Sequence, residues 1–482
     1  MTSFKTTSAL ALFALLALQG CVTNPVTGQR EFTLVSKSQE KELGKEADPE
    51  IVAQYGAVDD PALQAYVDGI GRRLVGVSHT PEEQFTFRLL DDPIVNAFAL
   101  PGGYCYVTRG ILAHLNSEAA LVGVLGHEVG HVTARHGANR MTNQMLLGGV
   151  LGIASQLGET AEALSGVAGA GLGLLLLKYS RDDERQSDSL GVEYGTALGY
   201  DTRDMAEFFK TLEKLSGGGG GLLPSFTSTH PDPGERYTTI RELTAKTQQP
   251  GQDYVTKRDD YLRRLEGLVF GPDPRQGFAE NGFFNHPDMR FRFPVPAGWL
   301  LANGRARVTL ATEKQDAAVI FQLAKERTAQ AAADAFVADE GIVEQERAAL
   351  TLPGGPAVRV VTQVKQQDGT TLGVVSTFAE LGGKVFTFHG LCAWSALATF
   401  RPTLESVADG FQPLTDPALL AVEPAVLKIV QTKRAAPFRD QVADYPIPAR
   451  AQADLERLAL INGVEVDATV PAGQLLKVLT SR

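Results

Sequence analysis

Clustered basic residues, long apolar runs and a cysteine framework are all missing from this sequence of 482 residues. Lys and Arg number 45 against 56 Asp and Glu, and the net charge of -11 with no basic stripe excludes nucleic acid as a partner. Three cysteines cannot form a disulfide scaffold. Cys105 and Cys392 make either one distant disulfide or two buried thiols. No apolar stretch reaches the about 20 residues that a membrane-spanning helix needs. The apolar fraction of 44% is that of a globular chain, and at roughly 150 residues per domain the length suggests about three domains.

The N-terminus has Lys5, an apolar run over residues 9–18, and then Leu18-Gln19-Gly20-Cys21. A short positive segment, a short apolar segment and small residues mark a secretory signal over residues 1–20. The cut before a cysteine resembles the bacterial lipobox, which implies lipidation of Cys21. By resemblance to enterobacterial lipoproteins, Val22 in place of aspartate favours the outer membrane. Residues 23–30, with Asn24-Pro25 and Thr27-Gly28 as turn signals, read as a tether.

Residues 36–55 have weakly apolar helical spacing. Residues 61–74 are a better helix, with Leu63, Val67, Ile70 and Leu74 on one face and Asp60 as cap. Residues 85–90 alternate as a strand. Asn96-Ala97-Phe98-Ala99-Leu100, a Pro101-Gly102-Gly103 turn and residues 104–108 make two more, the first a candidate sheet edge because Pro101 cannot sit in a central strand.

Ser117 and Glu118 open a helix read as running to a Gly137 cap, and that helix carries His127-Glu128-Val129-Gly130-His131. Histidines four apart share a helix face, so both imidazoles reach one zinc ion while Glu128 takes a proton from water. His136 is one residue early for a metzincin ligand and about 140° round the helix from His131, so it reads as a helix-end histidine. The apolar segment 146–177, broken by Glu159 and Glu162, suggests two short helices folded over the site, with a membrane-dipping role as an alternative. Beyond it, Glu184 and Asp188 are four apart on a helix that starts near Ser180. One carboxylate can complete a three-ligand zinc site while the other holds a ligand histidine.

His-Glu-x-x-His followed by Ser180-Arg181 and Glu184-x-x-x-Asp188 resembles the gluzincin family that contains the CAAX prenyl proteases and the HtpX heat-shock proteases. Asn96 to Gly103, Tyr106-Val107-Thr108-Arg109-Gly110, His131 to His136, and Ser228-Thr229-His230-Pro231 with Arg236 extend the likeness over about 200 residues, nearest to the periplasmic BepA-type branch. The resemblance implies one zinc per chain held by His127, His131 and Glu184, Glu128 as general base, Asp188 behind a ligand, and His230 approaching the metal. His230 then either stabilises the transition state or occupies the open position at rest. Gly217 to Gly221 would let residues 222–230 move as a gate. Asn96, Ala97 and Phe98 are the strand an extended substrate would pair with.

Beyond a connector over residues 256–286, strands expected at 308–311, 318–323, 357–364, 372–379 and 384–391, with helices at 328–338 and 403–411, suggest an α+β sandwich over 287–415. Its Phe293-Pro294-Val295-Pro296-Ala297-Gly298-Trp299 is similar to domains of the PsbP type, and His389 reads as packing. Residues 416–482 have the strand, helix, helix, strand order of a degenerate LysM module, a family that binds peptidoglycan, but Lys433 to Pro437 replace its Gly-Asp-Thr.

The fold expected is therefore α+β and multidomain. It has a mainly helical zincin-type protease domain with a small sheet edge over residues 21–255, the sandwich, and a small LysM-like module. The function expected is a zinc metalloendopeptidase in the periplasm, lipid-anchored through Cys21 to the outer membrane, degrading unfolded or misassembled envelope proteins. The alternative is a chaperone-like adaptor for outer-membrane assembly with a usually closed site. Assembly machinery and peptidoglycan are the further candidate partners. A purely structural zinc would be closed by four ligands with no acid beside them, which Glu128 argues against.

Overall fold

The computed structural model describes residues 21–151, 178–215, 226–230, 233–366 and 369–482. The segment read as a secretory signal, residues 152–177 of the apolar segment and the glycines at 217–221 lie outside these residues. The chain divides into two units, one of Met1–Val52, Gly56–Gly271 and Val426–Thr480, the other of Ala53–Tyr55, Pro272–Ala425 and Ser481–Arg482. Among the described residues no helix is long and apolar enough to cross a membrane.

The first unit opens on a hairpin, β1 (Cys21–Thr23) against β2 (Arg30–Phe32). The lead expected as a free tether is thus folded. Asn24 is buried; its Oδ1 accepts from the Val26 and Thr27 amides, and its Nδ2 donates to Glu31 and, at 3.1 Å, to the Ala134 carbonyl. A turn signal read locally gives no hint of a partner 110 residues away.

Helix α1 (Lys37–Tyr55) has a capping box between Ser36 and Gln39, and α2 (Pro61–Gly76) is capped by Asp60 with Pro61 at its first position. Leu63, Val67, Ile70 and Leu74 bury one face of α2, as their spacing requires. Strands β3 (Thr86–Leu90), β4 (Ala97–Leu100) and β5 (Tyr104–Thr108) make a sheet in the order β3-β5-β4, so β4 is an edge. Short α3 (Arg109–His114) leads to α4 (Glu118–Thr133), where Ser117 caps the Ala120 amide at 3.1 Å.

Helix α4 ends earlier than its sequence suggests. Ala134 is the cap, Arg135 turns the chain with φ 60, and α5 (His136–Leu151) begins at once, so Gly137 lies inside a second helix. Two ion-pair contacts from Arg135 to Glu40 and a bond from its guanidinium to the Val35 carbonyl at 2.9 Å hold a backbone conformation usually left to glycine. Helix α6 (Arg181–Ala197) has a capping box from Ser180 to Asp183. It crosses α4 where glycines meet: a Cβ on Gly126 would lie 3.1 Å from the Gly191 Cα. That close approach brings the two acidic and histidine-bearing faces together. Helices α7 (Arg203–Leu215), α8 (Phe226–Thr229), α9 (Pro233–Thr247) and α10 (Arg258–Arg264) follow.

The second unit has a sheet in the order β12-β13-β14-β15-β11-β10-β9, antiparallel throughout. Its strands are β9 (Trp299–Asn303), β10 (Arg307–Thr312), β11 (Ala317–Leu323), β12 (Ile342–Leu352), β13 (Gly355–Lys365), β14 (Thr371–Leu381) and β15 (Lys384–Ala393). A smaller sheet joins β6 (Phe278–Glu280), β7 (Phe283–His286), β8 (Phe291–Pro294) and β16 (Gln412–Pro413). Strands β6 and β7, like α10, fall inside the stretch read as a connector. Helix α11 (Ala329–Val337) lays Ala329, Ala332 and Ala333 on Val358, Val360 and Phe378. Helix α12 (Leu397–Asp409) sets Leu404, Val407 and Ala408 against the core that holds Phe291, Phe321, Phe388 and Phe411. Strand β12 is exposed along nearly its whole length, which is why no alternation announces it. His389 bonds Ser376 at 2.8 Å and lies tilted against the Phe336 ring with centroids 5.0 Å apart, a packing role.

The chain then returns to the first unit. Strand β17 (Ala425–Gln431) pairs with β20 (Leu475–Ser481), with α13 (Phe438–Val442) and α14 (Leu455–Ile461) between them and the short pair β18 (Ala436–Pro437) and β19 (Thr469–Val470) beside. Buried Lys477 ties this module to the end of α3, its Nζ donating to the Ala113 and Leu115 carbonyls at 2.8 and 2.9 Å. Cys105 and Cys392 are both free and buried.

Candidate metal centre

Four buried side chains turn their donor atoms toward one point: His127 and His131 from α4, Glu184 from α6, and His230 just after α8, with all four atoms within 4.8 Å of one another. The Nε2 atoms of His127 and His131 are 2.9 Å apart, and His127 Nε2 is 3.3 Å from Nδ1 of His230. Glu184 Oε1 lies 3.4 Å from His131 Nε2 and 2.8 Å from His230 Nδ1, while its Oε2 lies 3.5 Å from His127 Nε2. A tetrahedral ion with bonds of about 2.0–2.1 Å separates its ligands by roughly 3.4 Å, so these edges need only small adjustments to enclose zinc.

The two helical histidines are held from behind. His127 Nδ1 faces Asp188 Oδ1 at 2.9 Å, and His131 Nδ1 faces His136 Nδ1 at 2.9 Å. His136 in turn meets Gln186 at 2.8 Å. It is no member of the four-donor group; it orients one that is. Asp188 is held by Arg236, whose Nε and Nη2 reach its two oxygens at 2.9 and 2.5 Å, and Arg236 Nη1 lies 3.0 Å from Glu184 Oε2. The guanidinium also lies over the Phe209 ring at 4.1 Å.

Burial raises the Asp188 carboxyl, but Arg236 and His127 together, by charge and hydrogen bonds, outweigh it and hold Asp188 below its ordinary value. For Glu184 too, burial works upward and loses, here to His230, His131 and His127, so that it stays ionised. Burial pushes His131 far down, leaving a neutral ring with a lone pair to give. Burial also works against charge on His230, but Glu184 and Glu128 prevail and raise it. As an imidazolium His230 donates to Glu184; as a neutral ring it offers Nδ1 to a metal. Glu128 stands apart: it is fully buried, neither carboxylate oxygen has a hydrogen-bond partner among the described residues, and His230 Nε2 is 3.7 Å away. Burial raises its pKa, as suits a proton acceptor.

Of the strand read as substrate-binding, Asn96 is buried and its carbonyl accepts from Thr108 at 2.9 Å, while Ala97 and Phe98 lie in edge strand β4. The chain's own groups stand along it: the Phe226 amide donates to the Val95 carbonyl at 3.1 Å, and the Tyr179 hydroxyl lies 3.4 Å from the Ala99 carbonyl. The Tyr179 ring stacks on His131 with centroids 3.7 Å apart and is covered by the Arg140 guanidinium at 3.9 Å. Sequence reasoning gave Tyr179 no role and Arg236 only a place in a motif. Nothing in their local patterns signals contacts that tertiary packing creates.

A His-Glu-x-x-His helix, completed by a glutamate from a second helix with a buried acid beside it, defines a metallopeptidase centre of the gluzincin kind. The chain carries a domain of peptidase family M48, whose family model matches residues 61–244. It is 31% identical over 223 residues to a putative beta-barrel assembly-enhancing protease of Vibrio cholerae, covering 44% of this chain and 46% of that one. It is 29% identical to the mitochondrial metalloendopeptidase OMA1 of Schizosaccharomyces pombe, covering 46% and 66%, and 28% identical to the beta-barrel assembly-enhancing protease of Escherichia coli, covering 51% and 52%. The chain thus spans about half the length of the bacterial relatives it matches. The solved structure of cyanobacterial PsbP from Synechocystis covers 29% of this chain and 91% of its own at 15% identity, with a TM-score of 0.23 that carries no assignment.

Proposed function

We propose that this protein is a zinc endopeptidase of the periplasm, anchored by lipid at Cys21 to the outer membrane and cleaving unfolded or misassembled envelope proteins. The observation that carries the reading is Glu128: a buried carboxylate with no hydrogen-bond partner among the described residues, beside a four-donor cluster, is costly unless water and a cation complete it. His127, His131 and Glu184 would hold the ion, which when bound supplies a Lewis acid that polarises a carbonyl and makes water acidic near neutral pH. Glu128 accepts the proton from the attacking water and passes it to the leaving amine nitrogen. Asp188 and Arg236 keep His127 facing inward, and His136 does the same for His131. Edge strand β4 offers main-chain groups to an extended segment, a recognition that suits unfolded chains, because folded proteins seldom present a free strand. The names of the bacterial relatives, which concern beta-barrel assembly, support an envelope setting.

A second reading has its own support. His230 stands among the donors at the fourth position, and the segment before it bonds the Val95 carbonyl just ahead of β4. A chaperone-like adaptor that cleaves only when this segment withdraws would look the same. Peptidoglycan binding by the C-terminal module has no such support, since its first turn lacks the Gly-Asp-Thr of LysM.

The deciding experiment is cleavage of an unfolded model protein by the mature chain and by Glu128→Gln, with bound zinc measured in both. Zinc in both and a loss of about 10²–10⁴-fold only in Glu128→Gln supports the protease. Zinc in both with cleavage by neither the mature chain nor His230→Ala supports the adaptor.

A further inference from the structure

The N-terminal hairpin does more than lead into the fold. Cys21 sits in β1 directly opposite Phe32 in register, and Phe32 is 41% exposed. Leu34, 45% exposed, follows on the far side of buried Thr33. Thr33 Oγ1 meets Thr142 Oγ1 at 3.1 Å, and the Leu34 amide donates to Thr142 Oγ1 at 3.0 Å, which lays this stretch along α5. One turn on, Met145 is 44% exposed. Three large apolar side chains therefore lie open on the two elements nearest the lipidation cysteine.

There is also no slack in the chain. Asn24 bonds the Ala134 carbonyl, three residues beyond His131, and Cys21 to Asn24 spans at most about 11 Å when fully extended. We infer that the face carrying Phe32, Leu34 and Met145 seats on a phospholipid bilayer and holds the metal centre at the membrane surface. The inference rests on the lipidation of Cys21 proposed above, and it narrows the substrate class to chains lying at the bilayer. A lipid anchor beside an apolar patch gives the two signals that stable peripheral attachment needs.

The test uses the mature chain with Cys21→Ser, which carries no acyl group, and the same chain with Phe32→Ser, Leu34→Ser and Met145→Ser added. Both are floated with phosphatidylethanolamine–phosphatidylglycerol vesicles. The expected result is a vesicle-bound fraction that falls about tenfold or more with the three serines, at an unchanged melting temperature. Equal binding of the two chains overturns the inference. So does a lower melting temperature with unchanged binding, which would mean that the chain's own apolar segment covers the patch. Intact mass of the protein made with its signal tests the anchor separately: no acyl mass, with binding still dependent on the patch, refutes lipidation and leaves the seating in place.

Discussion

Asp188 shares one carboxylate oxygen between two partners, His127 Nδ1 at 2.9 Å and Arg236 Nη2 at 2.5 Å. The arrangement fixes the His127 ring so that Nε2 faces the other donors, and it neutralises the charge that holds it. Removing such a support commonly costs about 10–100-fold in metal affinity or activity. Asp188→Ala is expected to lower zinc affinity within that range, read by competition with a chelator. Arg236→Ala should be worse for folding, because it takes the guanidinium away from two buried carboxylates, at a cost of about 3–5 kcal/mol.

Tyr179 blocks rather than builds. Its ring lies on His131 and its hydroxyl near the carbonyl of Ala99 on β4, so a substrate pairing with β4 as proposed has to displace it. A stacked aromatic contact contributes about 0.5–1.5 kcal/mol, equivalent to roughly 2–10-fold. Tyr179→Ala is expected to raise kcat/KM on an unfolded substrate by that factor while zinc content stays the same. A fall in kcat/KM would instead assign the ring to substrate positioning.

The candidate donors were legible because their spacing is local. His127 with His131, and Glu184 with Asp188, are each four apart, and helical geometry alone puts each pair on one face. Edge strand β4 was legible through Pro101, which marks where pairing stops. What stayed hidden depends on distant partners. Asn24 reads as a turn residue until Ala134 accepts its proton, and the early end of α4 depends on Glu40 holding Arg135. Strand β12 has Glu344, Glu346 and Arg347 where alternation would need apolar residues, and its order comes from backbone pairing with β13.

Acid should weaken the start of α4. Burial raises the Glu118 carboxyl, but hydrogen bonds from Tyr200, Tyr66, Lys257 and Arg73 outweigh it and hold its pKa at about 2. A depressed carboxylate stabilises the fold fully above the unfolded value of about 4.3, and that contribution is lost as pH falls toward 2. Lys257 and Arg73 reach solvent, which screens their share, so about 2 kcal/mol is expected. Urea midpoints between pH 7 and pH 2 should converge for wild type and Glu118→Gln. A constant gap would show that Glu118 acts by packing rather than by charge.

Lys477 should also stabilise the fold more as pH rises, but because it is the charged form that the fold disfavours. Burial carries its ammonium far below the ordinary lysine value, while its Nζ satisfies the carbonyls of Ala113 and Leu115 at the end of α3. Lys477→Met keeps the length and apolar stem but leaves both carbonyls buried without a donor, at about 1–3 kcal/mol each. The pH dependence separates this cost from packing. Because the folded pKa lies below the unfolded value of about 10.4, the unfolded chain binds more protons through the intervening window, and wild-type stability rises with pH there. The methionine variant lacks that term. The advantage of wild type over Lys477→Met is therefore expected to widen from neutral pH toward pH 10, with hydrogen exchange accelerating in residues 109–115 and in β20 of the variant. A gap that is flat with pH would mean that the amine titrates alike in the folded and unfolded chain.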